Sequence, residues 1–376
     1  MPNTIHSTMS ITPENFTNIT LLRAVAALMV VYDHLFCDIP MRHFNMAAFP
    51  APAIQEFITT PLGIIQDFGW IGVAIFFIIS GFIITHVALR ESQAEFLIKR
   101  IFRIYPPLII AILLACAAAI VTSDKTYSTR EILSAFTLTN YWQYPQTLIL
   151  GVAWTLAVEI IFYLFTFMLL PLLKKKPAFA VAIQLIAICA IYILSKDYGH
   201  SFFLFSASAA YIPYLIIGQI TYFLYSKLFS PQLFAAYLAA SYAAVFYGIH
   251  LIHKSFAPVE NSYLINFVYA YFVFAGCLML KERIEPGRLI RAIADCSYSI
   301  YLLHGTIGIT FILLISRHYN LDSAARITLT AIIATGLSIA AAWLSYRLIE
   351  QPSIRAARYA CRMLKSRMLK AEKDHI

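Results

Sequence analysis

Apolar residues fall in ten long blocks along the chain, at 19–37, 67–88, 105–122, 148–173, 178–195, 203–225, 232–252, 263–280, 293–315 and 326–348. A helix rises 1.5 Å per residue, so about 20 apolar residues cross the hydrocarbon core of a bilayer. A β-barrel would instead show short segments of alternating apolar and polar residues. The pattern predicts an all-α fold: a polytopic integral membrane bundle of about ten transmembrane helices. The blocks are not uniform. The first contains LLRAVAALMVVYDHLF, with Arg23, Asp33 and His34, and later blocks carry Ser80, Glu159 and His304. Ionisable groups at membrane depth are destabilising unless they are used, so each marks a candidate site.

Composition sharpens this. The chain of 376 residues is 60% hydrophobic and 12% charged, against about 25% charged residues in a soluble domain. A soluble protein with one large core is excluded. The six cysteines are scattered without a CxxC pair, which implies neither a disulfide framework nor a metal knuckle. The first block lacks a basic flank before it and a small-residue cleavage site after it, so it reads as a retained helix and not a signal peptide.

Charge sets the expected orientation. With the N-terminus inside, 20 Lys/Arg fall on cytosolic segments and seven on outer ones, as the positive-inside rule requires. Ten spans then place both termini in the cytosol. The chain divides into a cytosolic N-terminal segment (1–18), a transmembrane domain (19–352) and a basic cytosolic tail (353–376). The expected location is the bacterial cytoplasmic (inner) membrane. The net charge of +9 faces anionic lipid, so the lipid bilayer is the partner it implies and nucleic acid is not. The longest outer segments, 38–66 and 123–147, are candidate lids.

Each polar position has a structural and a chemical reading. Arg23 and His34 are eleven residues apart, about three full turns, so they share one helix face. Arg23 could simply snorkel to headgroups, and His34 could be a hydrogen-bonded bundle histidine. Asp38 lies one turn beyond His34 and could hold its ring. Phe76, Phe77, Ser80 and Gly81 form a small-residue notch that serves helix packing equally well. Arg100 and Arg103 share a face. They suit a phosphate clamp, because guanidinium pairs bidentately with phosphate, or ordinary membrane anchoring. Glu159 sits deep in WTLAVEIIFYLF, sharing a face with Thr155 and Tyr163; it must pair with a cation or stay protonated. Ser297, Tyr301 and His304 make one polar stripe. Arg347 and Glu350, three apart, suggest a local ion pair. His34, His86 and His304 lie on different spans with no ligand spacing, so no metal is expected.

Taken in order, five of these stretches resemble the membrane acyltransferase-3 family: Arg23 to His34, FF-x-x-SG from Phe76 to Gly81, Arg100-x-x-Arg103 followed by IYP, W-T-L-x-x-E from Trp154 to Glu159 followed by FY, and SYSIYLLH ending at His304. The resemblance covers about residues 19–352 and is closest to members linked to exopolysaccharide production. Two positions depart from it: Ala74 stands where an acidic residue is common, and Ile160 follows Glu159 where many members have a second glutamate. Many members also carry a soluble esterase-like domain. Here a short basic tail follows the bundle, so the bundle would act alone or with a partner protein of the same polysaccharide pathway.

The resemblance implies a ten-helix enzyme that moves an acyl group, often acetyl, from cytosolic acyl-CoA to a hydroxyl of a glycan or glycolipid such as lipopolysaccharide. It marks His34 and Arg23 as active-site positions. A sugar hydroxyl needs a general base to attack a thioester, and histidine suits that role near neutral pH. His34 is the expected base, and Glu159 orients or pairs with a cation. Arg100 and Arg103, with Ser80 and Phe77, would hold the donor, acetyl-CoA in the first place. Trp154, Tyr301 and His304 would contact or support substrate. A covalent route through Cys37 or Ser80 is the rival chemistry. A transporter, or an acyl-group translocator serving a separate transferase, is the rival class.

Overall fold

The computed structural model describes residues 17–195, 197–257, 259–280 and 287–373. Most of the 1–18 segment, Lys196, Lys281, Arg283 and the last three residues of the tail lie outside the described residues. Among the described residues, ten helices are long and apolar enough to cross a membrane: α1 (Asn18–Phe44), α2 (Gln66–Ala88), α3 (Gln93–Ser123), α4 (Gly151–Lys175), α5 (Pro177–Leu194), α6 (Gly199–Tyr225), α7 (Pro231–Ile252), α8 (Glu260–Met279), α9 (Ser297–His318) and α10 (Ala324–Arg367). No strand occurs among the described residues. The chain is a multi-pass membrane protein.

Two helices run well past their predicted ends. The third was expected from residue 105 but begins at Gln93, where Ser92 and Glu95 form a reciprocal capping box. Pro106 and Pro107 therefore lie inside it. Pro106 has no N–H to offer the carbonyl of Phe102; the Ser353 hydroxyl donates to that carbonyl instead. Ser353 belongs to the continuation of α10, which goes on as a helix over Gln351–Lys373. Ala357 and Cys361 on it are buried, so this stretch packs back along the start of α3.

Helix α2 is apolar all round and mostly buried, the pattern of a central helix. It crosses α6 at small residues. Gly81 faces the backbone of Leu215, and Gly218 faces the backbone of Ile78. A Cβ at either position would overlap the opposing main chain. Gly81→Ala should therefore lower stability by roughly 1–3 kcal/mol or more, since backbone cannot step aside as a side chain can. Thermal unfolding in detergent checks this; an unchanged midpoint would contradict the close crossing.

Three spans contain a π-helical turn, a feature that often marks function. These are Asp33–Asp38 in α1, His304–Ile309 in α9 and Tyr346–Glu350 within the long α10 helix. In the first, the Ile39 N–H reaches the His34 carbonyl, five residues back. Each turn carries ionisable residues singled out above.

Candidate active site

His34 and His304 meet. His34 Nδ1 lies 2.7 Å from His304 Nε2, and the rings stack with centroids 5.0 Å apart. His304 Nδ1 lies 3.0 Å from the Ile300 carbonyl oxygen. A carbonyl only accepts, so His304 Nδ1 carries the proton and its Nε2 has the lone pair. The hydrogen between the rings must then belong to His34 Nδ1. This network assigns the tautomer of His34: Nδ1–H donates, and Nε2 keeps its lone pair. His304 is wholly buried, whereas the His34 side chain is 29% exposed and lines a cavity.

Asp33 stands beside this imidazole, with Oδ2 at 3.9 Å from His34 Nε2. Its carboxylate packs against Gly69, in the first turn of the regular part of α2 (Gly69–Ala88), where the helix dipole favours negative charge. Gly69 is required there, because a Cβ would occupy the space of the carboxylate. Asp38 does not hold the His34 ring as expected; it pairs with Arg42 at 2.6 Å.

The cavity measures about 580 Å³. Its aromatic lining includes Trp70, Trp154, Tyr211, Tyr263 and Tyr301, and its polar lining includes Asp33, Asp67, Gln55, Gln66, Gln146 and Ser208. Trp70 and Trp154 are nearly parallel at 6.2 Å; Tyr263 meets Trp70 edge-on at 4.7 Å. The Trp70 indole nitrogen is buried and has no hydrogen-bond partner within the described residues. Asp67 accepts from Gln55 at 2.6 Å and Thr59 at 3.0 Å. Both candidate lids thus supply wall, 38–66 through Gln55 and 123–147 through Tyr141 and Gln146. Burial raises the Tyr141 phenol well above its usual range, so it is a hydrogen-bond donor, and it donates to the Leu150 carbonyl. The Tyr301 hydroxyl accepts from Thr155 at 3.1 Å and donates to the Val152 carbonyl at 3.2 Å.

A second polar group lies outside this lining. Arg23 donates to Ser297 Oγ at 2.9 Å. Arg103 pairs with Glu350 at 2.9 Å and lies over the Tyr298 ring at 5.7 Å. Ser299 donates to the same carboxylate at 2.8 Å. Glu159 accepts from Ser80 at 2.6 Å and Tyr163 at 2.9 Å. Arg100 lies over Phe96 at 5.7 Å, with its buried Nε unpartnered among the described residues. The stripe on α9 therefore faces the stripe on α1, Ser297 against Arg23 and His304 against His34. Arg23, Arg100, Arg103 and Glu159 do not line the cavity with His34. Phe77, expected on the donor side, stands against Trp154 at 5.9 Å behind the cavity wall. Arg347 does not pair with Glu350; it lies over Trp343 at 4.7 Å.

Sequence reasoning missed Trp70, Tyr211, Tyr263 and Asp67, and it gave Glu350 the wrong partner. Glu350 carried a signal, a carboxylate closing the last apolar block. The aromatic residues carried none, since they resemble ordinary core until the fold gathers them.

Ten apolar helices around a hydrogen-bonded imidazole pair and a polar, aromatic-walled cavity are the frame of a multi-pass membrane enzyme. The chain belongs to the family described as "Acyltransferase domain", whose model matches residues 16–347, and is an acyltransferase. It is 26% identical over 372 residues to Nodulation protein 10 of Rhizobium leguminosarum bv. viciae, covering 90% of this chain and 93% of that one. It is 24% identical over 325 residues to a protein of Staphylococcus aureus (strain COL) named "Putative O-acetyltransferase", covering 76% of this chain and 52% of the relative. The match thus spans about half the length of the staphylococcal protein. No solved structure matches the chain.

Proposed function

We propose that the protein is an O-acyltransferase of the bacterial inner membrane that moves an acetyl or similar acyl group from cytosolic acyl-CoA to a hydroxyl of a surface or exported glycan. The observation that carries this reading is the tautomer of His34, whose Nε2 lone pair borders a cavity suited to sugar. Indole and phenol faces complement the C–H faces of a pyranose, and carboxylates and amides complement its hydroxyls. In the transfer, His34 Nε2 takes the proton of the acceptor hydroxyl, and the oxygen attacks the thioester carbonyl. The C–S bond breaks, and the thiolate leaves and receives the proton from the imidazolium. His304 holds the tautomer and accepts from Nδ1 throughout. Arg100, with its unpartnered Nε, and Arg23 would meet the phosphates of the donor. Arg103 is already engaged by Glu350, which makes it a support for that pocket more than a clamp.

Purified protein in nanodiscs, given labelled acetyl-CoA and a panel of neutral oligosaccharides, should place label on an oligosaccharide. Label that reaches no acceptor, yet crosses into the lumen of proteoliposomes, would instead establish a translocator.

His304 supplies a second test. His304→Ala removes the acceptor of the His34 Nδ1 hydrogen. It should lower kcat by a part of the roughly 10²–10⁴-fold that general-base catalysis contributes, with KM for the acceptor little changed. His304→Gln, whose amide oxygen accepts a hydrogen bond, should recover some of the loss. Equal loss in both variants would contradict the tautomer assignment.

A further inference from the structure

A second histidine cluster lies away from the His34–His304 pair. His250 is in the last turn of α7, His253 follows it, and Glu260 opens α8. One ligand atom from each lies within 4.8 Å of the others. His250 Nδ1 is 3.1 Å from Glu260 Oε1, and the two imidazoles stack with centroids 5.1 Å apart. His253 Nδ1 lies 2.5 Å from the His250 carbonyl oxygen. That carbonyl only accepts, so His253 Nδ1 carries the proton and Nε2 presents its lone pair. A histidine held by a backbone carbonyl through one nitrogen, with the other open, is the usual posture of a metal ligand.

The ion pair alone does not account for the cluster. The His250 side chain is 59% exposed, and pairs at such positions contribute about 0–1 kcal/mol. Nor does it explain why a second imidazole stacks on the first with its Nε2 open. Two imidazoles and a carboxylate are a donor set typical of zinc, which binds nitrogen and oxygen at about 2.0–2.2 Å and leaves one position for water in such three-ligand sites. Modest rotamer changes at exposed His250 and half-buried His253 and Glu260 would close the ligand atoms around an ion.

We propose that His250, His253 and Glu260 bind a divalent transition metal, zinc in the first place, tying the end of α7 to the start of α8. The connection between those helices carries Phe256, which lines the cavity. Tyr263, also in the lining and packed on Trp70, donates to the Phe256 carbonyl at 3.4 Å. The ion thus fixes the cavity rim at Phe256 and Tyr263, shaping the acceptor site of the proposed transfer without entering the reaction.

The test uses tag-free, full-length protein in detergent, stripped with chelator and titrated with zinc chloride by calorimetry. The expected result is one zinc per chain with micromolar or tighter affinity, and a rise in the unfolding midpoint when zinc is present. His253→Ala with Glu260→Gln should abolish both effects, while His318→Ala, at a separate exposed histidine, should leave them intact. X-ray absorption on the zinc-loaded wild type should report two imidazole ligands and no sulfur, a readout that does not depend on how any variant folds. Failure to bind zinc, binding unchanged in the double variant, or a sulfur-ligated ion would each overturn the site. None of these readouts involves acyl transfer, so they stand apart from the test of activity.

Discussion

His34→Ala should lower acyl transfer by roughly 10²–10⁴-fold while the protein stays folded and still binds acyl-CoA. The size follows from what is removed. Without the imidazole, the acceptor hydroxyl must lose its proton to water in the transition state. The fold should survive because His34 is partly exposed to the cavity and, among the described residues, the hydrogen bond of its side chain is to His304. The rival nucleophiles separate cleanly. Cys37 lines the same cavity, and direct transfer predicts that Cys37→Ala retains most activity. Ser80 donates to Glu159 and is absent from the cavity lining, so Ser80→Ala should act on stability or donor affinity. Steady-state rates with labelled acetyl-CoA check all three variants. A His34→Ala enzyme at full rate, or a Cys37→Ala enzyme as inactive as His34→Ala is expected to be, would contradict the assignment.

The largest stability effect should come from Arg103→Ala. Glu350 is completely buried, and Arg103 is its cationic partner at 2.9 Å. Removing one member of a buried pair leaves an uncompensated charge, which costs about 3–5 kcal/mol. Arg103 is 31% exposed, which places the expectation near the lower end, about 3 kcal/mol. The companion Glu350→Gln tells the cause apart. In the Arg103→Ala background it should restore part of the stability, because a neutral amide needs no cation and Ser299 can still bond to it. Unfolding midpoints of the two single variants and the double variant make the cycle. Simple additivity would contradict the pairing. A pure phosphate clamp predicts something different: lost donor affinity with an unchanged midpoint.

The helices were legible in the sequence because a span is a local object, set by a run of apolar residues against a known bilayer thickness. Arg23 and His34 were legible as one face because helical periodicity is local too, and both meet the same helix, α9. The partners were not legible. His34 and His304 are 270 residues apart in the chain, and Glu350 lies 247 residues from Arg103. No spacing rule reaches across such distances. The local rule pointed instead to Arg347 for Glu350 and to Asp38 for His34, and the fold gives those residues to Trp343 and Arg42. The tautomer of His34 depends on the Ile300 carbonyl, a backbone group with no sequence signature. The start of α3 precedes its apolar block, in the polar stretch before Arg100 and Arg103, and is set by the Ser92–Glu95 capping box. Pro106 is accommodated inside the helix as Ser353, from the far end of the chain, takes up the freed Phe102 carbonyl.

Direct transfer at His34 within the bundle is best tested by a single-turnover pulse. Wild-type protein in nanodiscs receives labelled acetyl-CoA, first without acceptor and then with it, and label is followed on CoA, on protein and on oligosaccharide. Direct transfer predicts that label stays on CoA until acceptor is added and then appears on the oligosaccharide, with none on protein at any time. Label on Cys37 or Ser80 before acceptor is added, or oligosaccharide that stays unlabelled unless a second protein is supplied, would contradict it.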